Sequence, residues 1–219
     1  MKRKAVCIGG GGHAKVLIDI ARRVRGVEVV AITEQDPSKQ GKSLLGVPIL
    51  GGDNLLPDLL KKGVRAAIVG VGAVKVSPVR QKLFEEAERL GFEMVNLVDP
   101  SAVVSKESRL GRGVAIFPGV IVNAGTVLGN NVILYSGVIV EHDVTLQNHV
   151  QVSPGAMIAG GVEVGEGTFL GAGCCILQGV KIGRDVTVGA GAVVLHDVSE
   201  ETTVVGVPAK PMIPLPVEK

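Results

Sequence analysis

From residue 102 to residue 197 the chain divides into sixteen consecutive blocks of six, and the third residue of every block is Val, Leu or Ile. The blocks run AVVSKE, SRLGRG, VAIFPG, VIVNAG and onward to AVVLHD, with no insertion to break the phase. An aliphatic held at one position throughout predicts a solenoid whose turns stack like on like, a hexapeptide-repeat parallel β-helix of about five coils. The first position of each block is Val, Thr, Ala, Ser or Cys. That small side chain shares the inward face with the aliphatic two residues later, as strand alternation requires. Gly often closes a block and also follows the aliphatic in six of them, where tight corners and close backbone approach favour it. All sixteen aliphatics are expected to be buried, with no helix inserted between them.

Residues 1–98 follow a different rhythm. Short apolar runs at 4–8, 27–32, 65–69 and 92–98 predict strands, and amphipathic stretches at 14–25, 55–62 and 79–90 predict helices. Pro78 opens the last of these helices and Gly91 closes it. Strand–helix alternation of this kind predicts a small Rossmann-like α/β domain with a mostly parallel sheet. Asp99-Pro100 marks the boundary, so the expected domains are 1–98 and 99–219, the second ending in a proline-rich tail.

Composition narrows the classes. Only five residues are aromatic, which suits a core of aliphatic ladders. The formal charge of +2 comes from interspersed acids and bases, with no stripe for nucleic acid and no polybasic membrane patch. No apolar run approaches a membrane span, and the basic start MKRK leads into glycines rather than a leader's apolar core, so a cytoplasmic protein is expected. Cys7 and the neighbours Cys174 and Cys175 read as small hydrophobes in a reducing compartment.

Two features carry chemistry. The run Gly9-Gly10-Gly11-Gly12-His13 joins the first strand to the first helix, where backbone N–H groups and the helix dipole favour an anion. Gly70, ending another strand, falls on the same carboxyl edge of the sheet. The second feature is Glu141-His142-Asp143, three ionisable residues closing one block of an otherwise aliphatic, Gly and Ala array. A histidine flanked by a carboxylate is suited to general-base work, although an exposed histidine in a charged turn looks the same. His196 lies nine blocks beyond His142, three coils away, so the two cannot share a metal within one chain, and no metal is expected.

With Gly11-Gly12-His13 in a βαβ domain, an unbroken hexapeptide array, Val140-Glu141-His142-Asp143 and the terminal Gly206-Val207-Pro208-Ala209-Lys210, the chain resembles the sialic acid O-acetyltransferase NeuD family. That family includes bacterial N-acetyltransferases of nucleotide-linked 4-amino sugars, of the bacillosamine and perosamine type. The resemblance spans nearly the whole chain. It implies a left-handed β-helix, a homotrimer and acetyl-CoA as co-substrate in grooves between subunits. His142 would be the general base, with Asp143 raising its basicity. Gly11, Gly12, His13, Thr33, Glu34 and Gly70 would hold a nucleotide-activated amino sugar of the 4-amino-4,6-dideoxy type. Acetyl-CoA contacts would fall to Gln151, Ala172 and Ala190.

The sequence departs from the family at two positions. Gln151 stands where some members carry histidine, while His149 lies two residues earlier, and Tyr135 stands where many carry Asn. The expected activity is N-acetylation of a nucleotide-linked amino sugar. The alternative is O-acetylation of sialic acid or a related sugar hydroxyl. An ice-binding β-helix would need regular Thr ladders, for which Thr126, Thr145, Thr168 and Thr187 are too scattered, and a sugar-nucleotide sensor would leave Glu141-His142-Asp143 and the Gly-Val-Pro-Ala-Lys tail unexplained.

Overall fold

The computed structural model describes residues 2–73 and 75–212. The first domain contains β1 (Arg3–Ile8), α1 (Gly12–Arg23), β2 (Val27–Thr33), β3 (Ser43–Leu44), β4 (Val47–Gly51), α2 (Leu56–Lys61), β5 (Ala66–Val69), α3 (Pro78–Leu90) and β6 (Glu93–Met94). The sheet order is β3-β4-β2-β1-β5-β6, parallel except for the β3–β4 edge pair. Alternation sorts β1 between two cores: Ala5 and Cys7 pack with α1, while Val6 and Ile8 pack with Leu56, Phe84 and Ala87 of α2 and α3. Coverage on both faces is why this strand reads as a continuous apolar run.

Two elements differ from the sequence reading. The β3–β4 hairpin lies where only a polar turn and connection were expected. Its alternation spans five residues and includes Pro48, which sits outward in an edge pair. The run at 92–98 is two strands: β6 ends the first sheet, and Leu97–Val98 is already a rung of the solenoid, paired with Ala115–Ile116.

From Val103–Val104 to Val193–Val194 there is one two-residue strand per block, sixteen in all. Each pairs in parallel with the strand eighteen residues on, as Val127 with Thr145 and Leu128 with Leu146, so three blocks make one coil. The result is a left-handed parallel β-helix of hexapeptide repeats. Its first wall runs from Leu97–Val98 to Thr187–Val188, its second from Val103–Val104 to Val193–Val194, and its third from Arg109–Leu110 to Lys181–Ile182. Fourteen of the sixteen aliphatics are buried; Val104 and Leu110 are only half-buried. Both belong to the first coil, whose second and third walls have no strand beneath them.

The sixth position of the block takes left-handed φ in nearly every turn, and glycine is its usual occupant. Asn131, Asp143, His149 and Asp185 are the non-glycine residues that adopt it within the array. After the array, Thr203–Val205 extends the first wall and Lys210–Pro211 folds back against it; the rest of the tail, residues 213–219, lies outside the described residues. Helix α1 packs between the sheet and the first coils, so Leu17, Ile18, Leu97, Val114 and Ile116 share one apolar core. The buried Asp99 at the junction pairs with Arg23 of α1 at 2.7 Å. This fixed docking sets the carboxyl edge of the sheet against the first wall of the β-helix.

Candidate active site

Between that edge and the first wall lies a cavity of about 1240 Å³. Its floor follows from topology. β1 is the strand from which the chain winds to β2 on one side and to β5 on the other, and ligands of open α/β sheets bind at that switch point. Gly11, Gly12, His13, Thr33, Glu34 and Gly70 all line the cavity, and Ala172 and Ala190 face them from the β-helix.

These residues do different work. A Cβ on Gly11 or Gly12 would meet nothing within 4 Å, so the space beside them is open to a ligand. Gly70 is a packing glycine, because a Cβ there would lie 2.6 Å from Cys7 Sγ. Glu34 braces the glycine loop: its carboxylate accepts from the N–H of Gly10 at 2.9 Å and of Asp36 at 3.1 Å. Burial pushes its pKa up, but these bonds and Lys39 more than offset that, so the net shift is downward. Thr33 is fully buried, with its hydroxyl unpartnered.

His13 stacks on Phe117 with ring centroids 5.4 Å apart and leans on Tyr135 at 5.5 Å. Both ring nitrogens are buried and unpartnered. Burial, with a smaller push from the Arg80 charge, lowers its pKa from 6.5 to about 3. The folded protein therefore holds a neutral imidazole that the unfolded chain protonates more readily. Stability from this group is complete above pH 6.5 and is lost progressively as the pH falls toward 3. His149, whose pKa is also lowered by burial first of all, acts in the same direction. The urea midpoint is expected to fall between pH 7 and pH 5, and to fall less in His13→Phe; an unchanged pH slope in that variant would refute the assignment.

His142 lies elsewhere. It follows the second-wall strand Ile139–Val140 at the corner that leads to the third wall, and it is not among the residues lining the cavity. Its Nδ1 bonds Asp143 Oδ2 at 2.9 Å, which leaves Nε2 as the free basic nitrogen. The ring rests over Gly160 of the next coil, where a Cβ would come within 2.7 Å of Nε2. Asp143 reaches its position by adopting φ 59, a conformation aspartate tolerates better than most side chains. Its carboxylate occupies space left open by Gly125. Glu141 is tied to Asn123 Nδ2 at 2.9 Å. His142 and Asp143 remain largely exposed, at 59% and 72% of their side-chain surface.

Gln151 is also outside the cavity. It is buried at the domain junction and accepts from the N–H of Ala73 at 3.2 Å. His149 is enclosed beside it, edge-on to Phe84 of α3 at 5.8 Å. Burial raises the Cys7 and Cys174 thiols to about 12, far from thiolate character at neutral pH. Among the described residues there is no cluster of three or more potential metal ligands, and no helix is long and apolar enough to cross a membrane. Sequence reasoning missed Arg80, although an arginine at 80 with Phe84 and Ala87 on one helical stripe was a readable signal.

Residues 4–87 match the PglD N-terminal domain family, and residues 143–178 and 161–196 match the bacterial transferase hexapeptide (six repeats) family. A perosamine N-acetyltransferase from Caulobacter crescentus, solved with CoA and GDP-perosamine, is 43% identical; the match covers 96% of this chain and 97% of that one, with a TM-score of 0.91. The chain belongs to the PglD-type hexapeptide acyltransferases. The acetyltransferase domain of PglB from Neisseria gonorrhoeae, solved with acetyl coenzyme A, is a second such relative, at 36% identity over 97% of this chain and 100% of that one, with a TM-score of 0.88. WeeI from Acinetobacter baumannii is 25% identical over 95% and 99%, with a TM-score of 0.78. No curated protein matches the chain. This PglD-type chain carries the cavity and the His142–Asp143 pair at separate places along the β-helix.

Proposed function

We propose that the chain is an acetyl-CoA-dependent N-acetyltransferase of a nucleotide-linked 4-amino-4,6-dideoxy sugar, working as a homotrimer with His142 as general base. The observation that carries this reading is the separation of His142 from the cavity, together with the character of the wall between them. The outward positions of the second wall are Val103, Ile121, Ile139, Met157, Cys175 and Val193, all apolar. Those of the third wall are Arg109, Val127, Thr145, Glu163 and Lys181. Val103 and Met157 are 64% and 48% exposed in the single chain, which is costly for a continuous apolar face unless another subunit covers it.

The second wall runs between the two corners that matter. Ala172 and Ala190 follow first-wall strands at one end, and His142 stands at the other. A threefold axis parallel to the β-helix axis and facing the second wall would set the His142 corner of one copy against the cavity-side corner of the next. The site is then shared between neighbours, with the acceptor over Gly11, Gly12 and His13, and acetyl-CoA along the small residues Ala172 and Ala190.

The chemistry follows from that placement. Acetyl-CoA supplies an activated acyl carbonyl. The neutral sugar amine attacks it, and His142 Nε2 takes the amine proton as the new C–N bond forms. Asp143 accepts from Nδ1–H and stabilises the imidazolium, and a backbone N–H supports the tetrahedral oxyanion. Collapse breaks the C–S bond and releases CoA as a thiolate, to which the imidazolium returns the proton. Direct transfer of this kind uses no cysteine nucleophile. The deciding experiment is thiol release from acetyl-CoA against a panel of nucleotide amino sugars and hydroxy sugars. A nucleotide-linked 4-amino sugar is expected to give the highest kcat/KM. Preferential turnover of a sugar hydroxyl would replace this reading with O-acetylation.

A further inference from the structure

Arg80 is a buried cation, 3% exposed, on the inward stripe of α3. Its Nη1 donates to the carbonyls of Val69 at 2.6 Å and Val71 at 2.9 Å. Among the described residues no carboxylate forms an ion pair with it. Its Nε is buried and unpartnered, as is Asn131 Oδ1, and both residues line a small cavity of about 80 Å³. Burial lowers the Arg80 pKa to about 10, so it stays protonated at neutral pH. A buried charge without a countercharge is unfavourable, and it is tolerable when a ligand supplies the countercharge.

The two carbonyls held by Arg80 lie at the end of β5 and in the loop that follows it, and that loop forms one side of the large cavity. In a trans peptide the N–H points opposite to the C=O. With the Val71 carbonyl turned toward Arg80, the Gly72 N–H is directed away from it. Gly72 lines the cavity, and its N–H meets no acceptor among the described residues. The exposed Lys75 lines the same side. The carboxylates of the cavity, Glu34 and Asp53, instead follow β2 and β4, on the other side of β1. The crevice is therefore polarised, cationic beyond β5 and acidic beyond β2 and β4.

We propose that Arg80 is the positioning residue for the acceptor's diphosphate, fixing the Val71–Gly72 peptide with its N–H toward the cavity and placing behind it the charge that the diphosphate matches. This rests on reading the cavity as the nucleotide-sugar site. Arg80 does not touch the ligand; it acts through the loop and through its field.

The test is calorimetric titration of the full chain with GDP and UDP, and with guanosine and uridine as phosphate-free probes, at two salt concentrations. Wild type is expected to bind one of the diphosphates more tightly than its nucleoside. Failure to bind either diphosphate would overturn the nucleotide reading and this proposal together. Arg80→Met is expected to weaken diphosphate binding by about tenfold or more and to flatten its salt dependence, with nucleoside binding and the acetyl-CoA KM unchanged. Arg80→Lys, which keeps the charge but loses the fork, is expected to fall between, and it carries the same comparison if Arg80→Met does not fold. Unchanged diphosphate binding, or an equal loss for diphosphate and nucleoside, would overturn the role of Arg80 while leaving the nucleotide site standing.

Discussion

His142→Ala is expected to lower kcat by about 10²- to 10⁴-fold, the usual worth of a positioned acid–base group, with the acetyl-CoA KM nearly unchanged. The geometry makes the effect specific. Asp143 fixes the ring through Nδ1, Gly160 leaves room beneath it, and Nε2 is the nitrogen left to take a proton. Asp143→Asn is expected to cost less than His142→Ala, because it keeps the shape and removes only the charge that favours imidazolium. Steady-state kinetics on both variants checks the order. Near-normal turnover in His142→Ala would refute the base assignment. His149 could not readily replace it, since it is enclosed under α3 against Phe84.

Mixing two inactive variants is expected to restore activity. His142→Ala removes the base and leaves the cavity intact. Gly11→Val blocks close approach of the acceptor to the glycine loop, and the open space around Gly11 lets the new side chain fit the fold without a clash. If base and cavity come from different subunits, a mixed trimer contains sites built from the intact half of each variant. Random reassembly at equal amounts should return about a quarter of wild-type activity, since each site draws its two halves independently from neighbouring subunits. Refolding the two variants together and assaying thiol release gives the number. Recovery at the level of the separately refolded variants would mean that base and acceptor belong to one chain.

The candidate site was partly readable before the fold was. Gly11, Gly12 and His13 were placed by a strand–glycine–helix junction, and Glu141-His142-Asp143 stood out because charged residues interrupted an aliphatic, Gly and Ala array. Local patterns reveal such residues because each violates the rule of its own element. What those patterns could not give was neighbourhood. Gln151, a groove residue only through the family resemblance, sits at the domain junction and accepts from the N–H of Ala73. Glu34, a ligand contact by the same resemblance, lines the cavity and also accepts from the N–H groups of Gly10 and Asp36.

The sequence alone determined the β-helix, because a period of six with an aliphatic at one position admits only a stack in which each rung sits on an identical rung. It also determined the α/β character of the first domain, through runs too short for helices alternating with stretches of helical period. Only the tertiary structure decided how those parts face one another. The docking of α1 on the first coils set the sheet edge against the first wall and left the second wall bare. It also put His142 one corner away from the cavity. Those relations depend on packing between residues far apart in the chain, where no local period connects them, so they exist only once the two cores have merged into one.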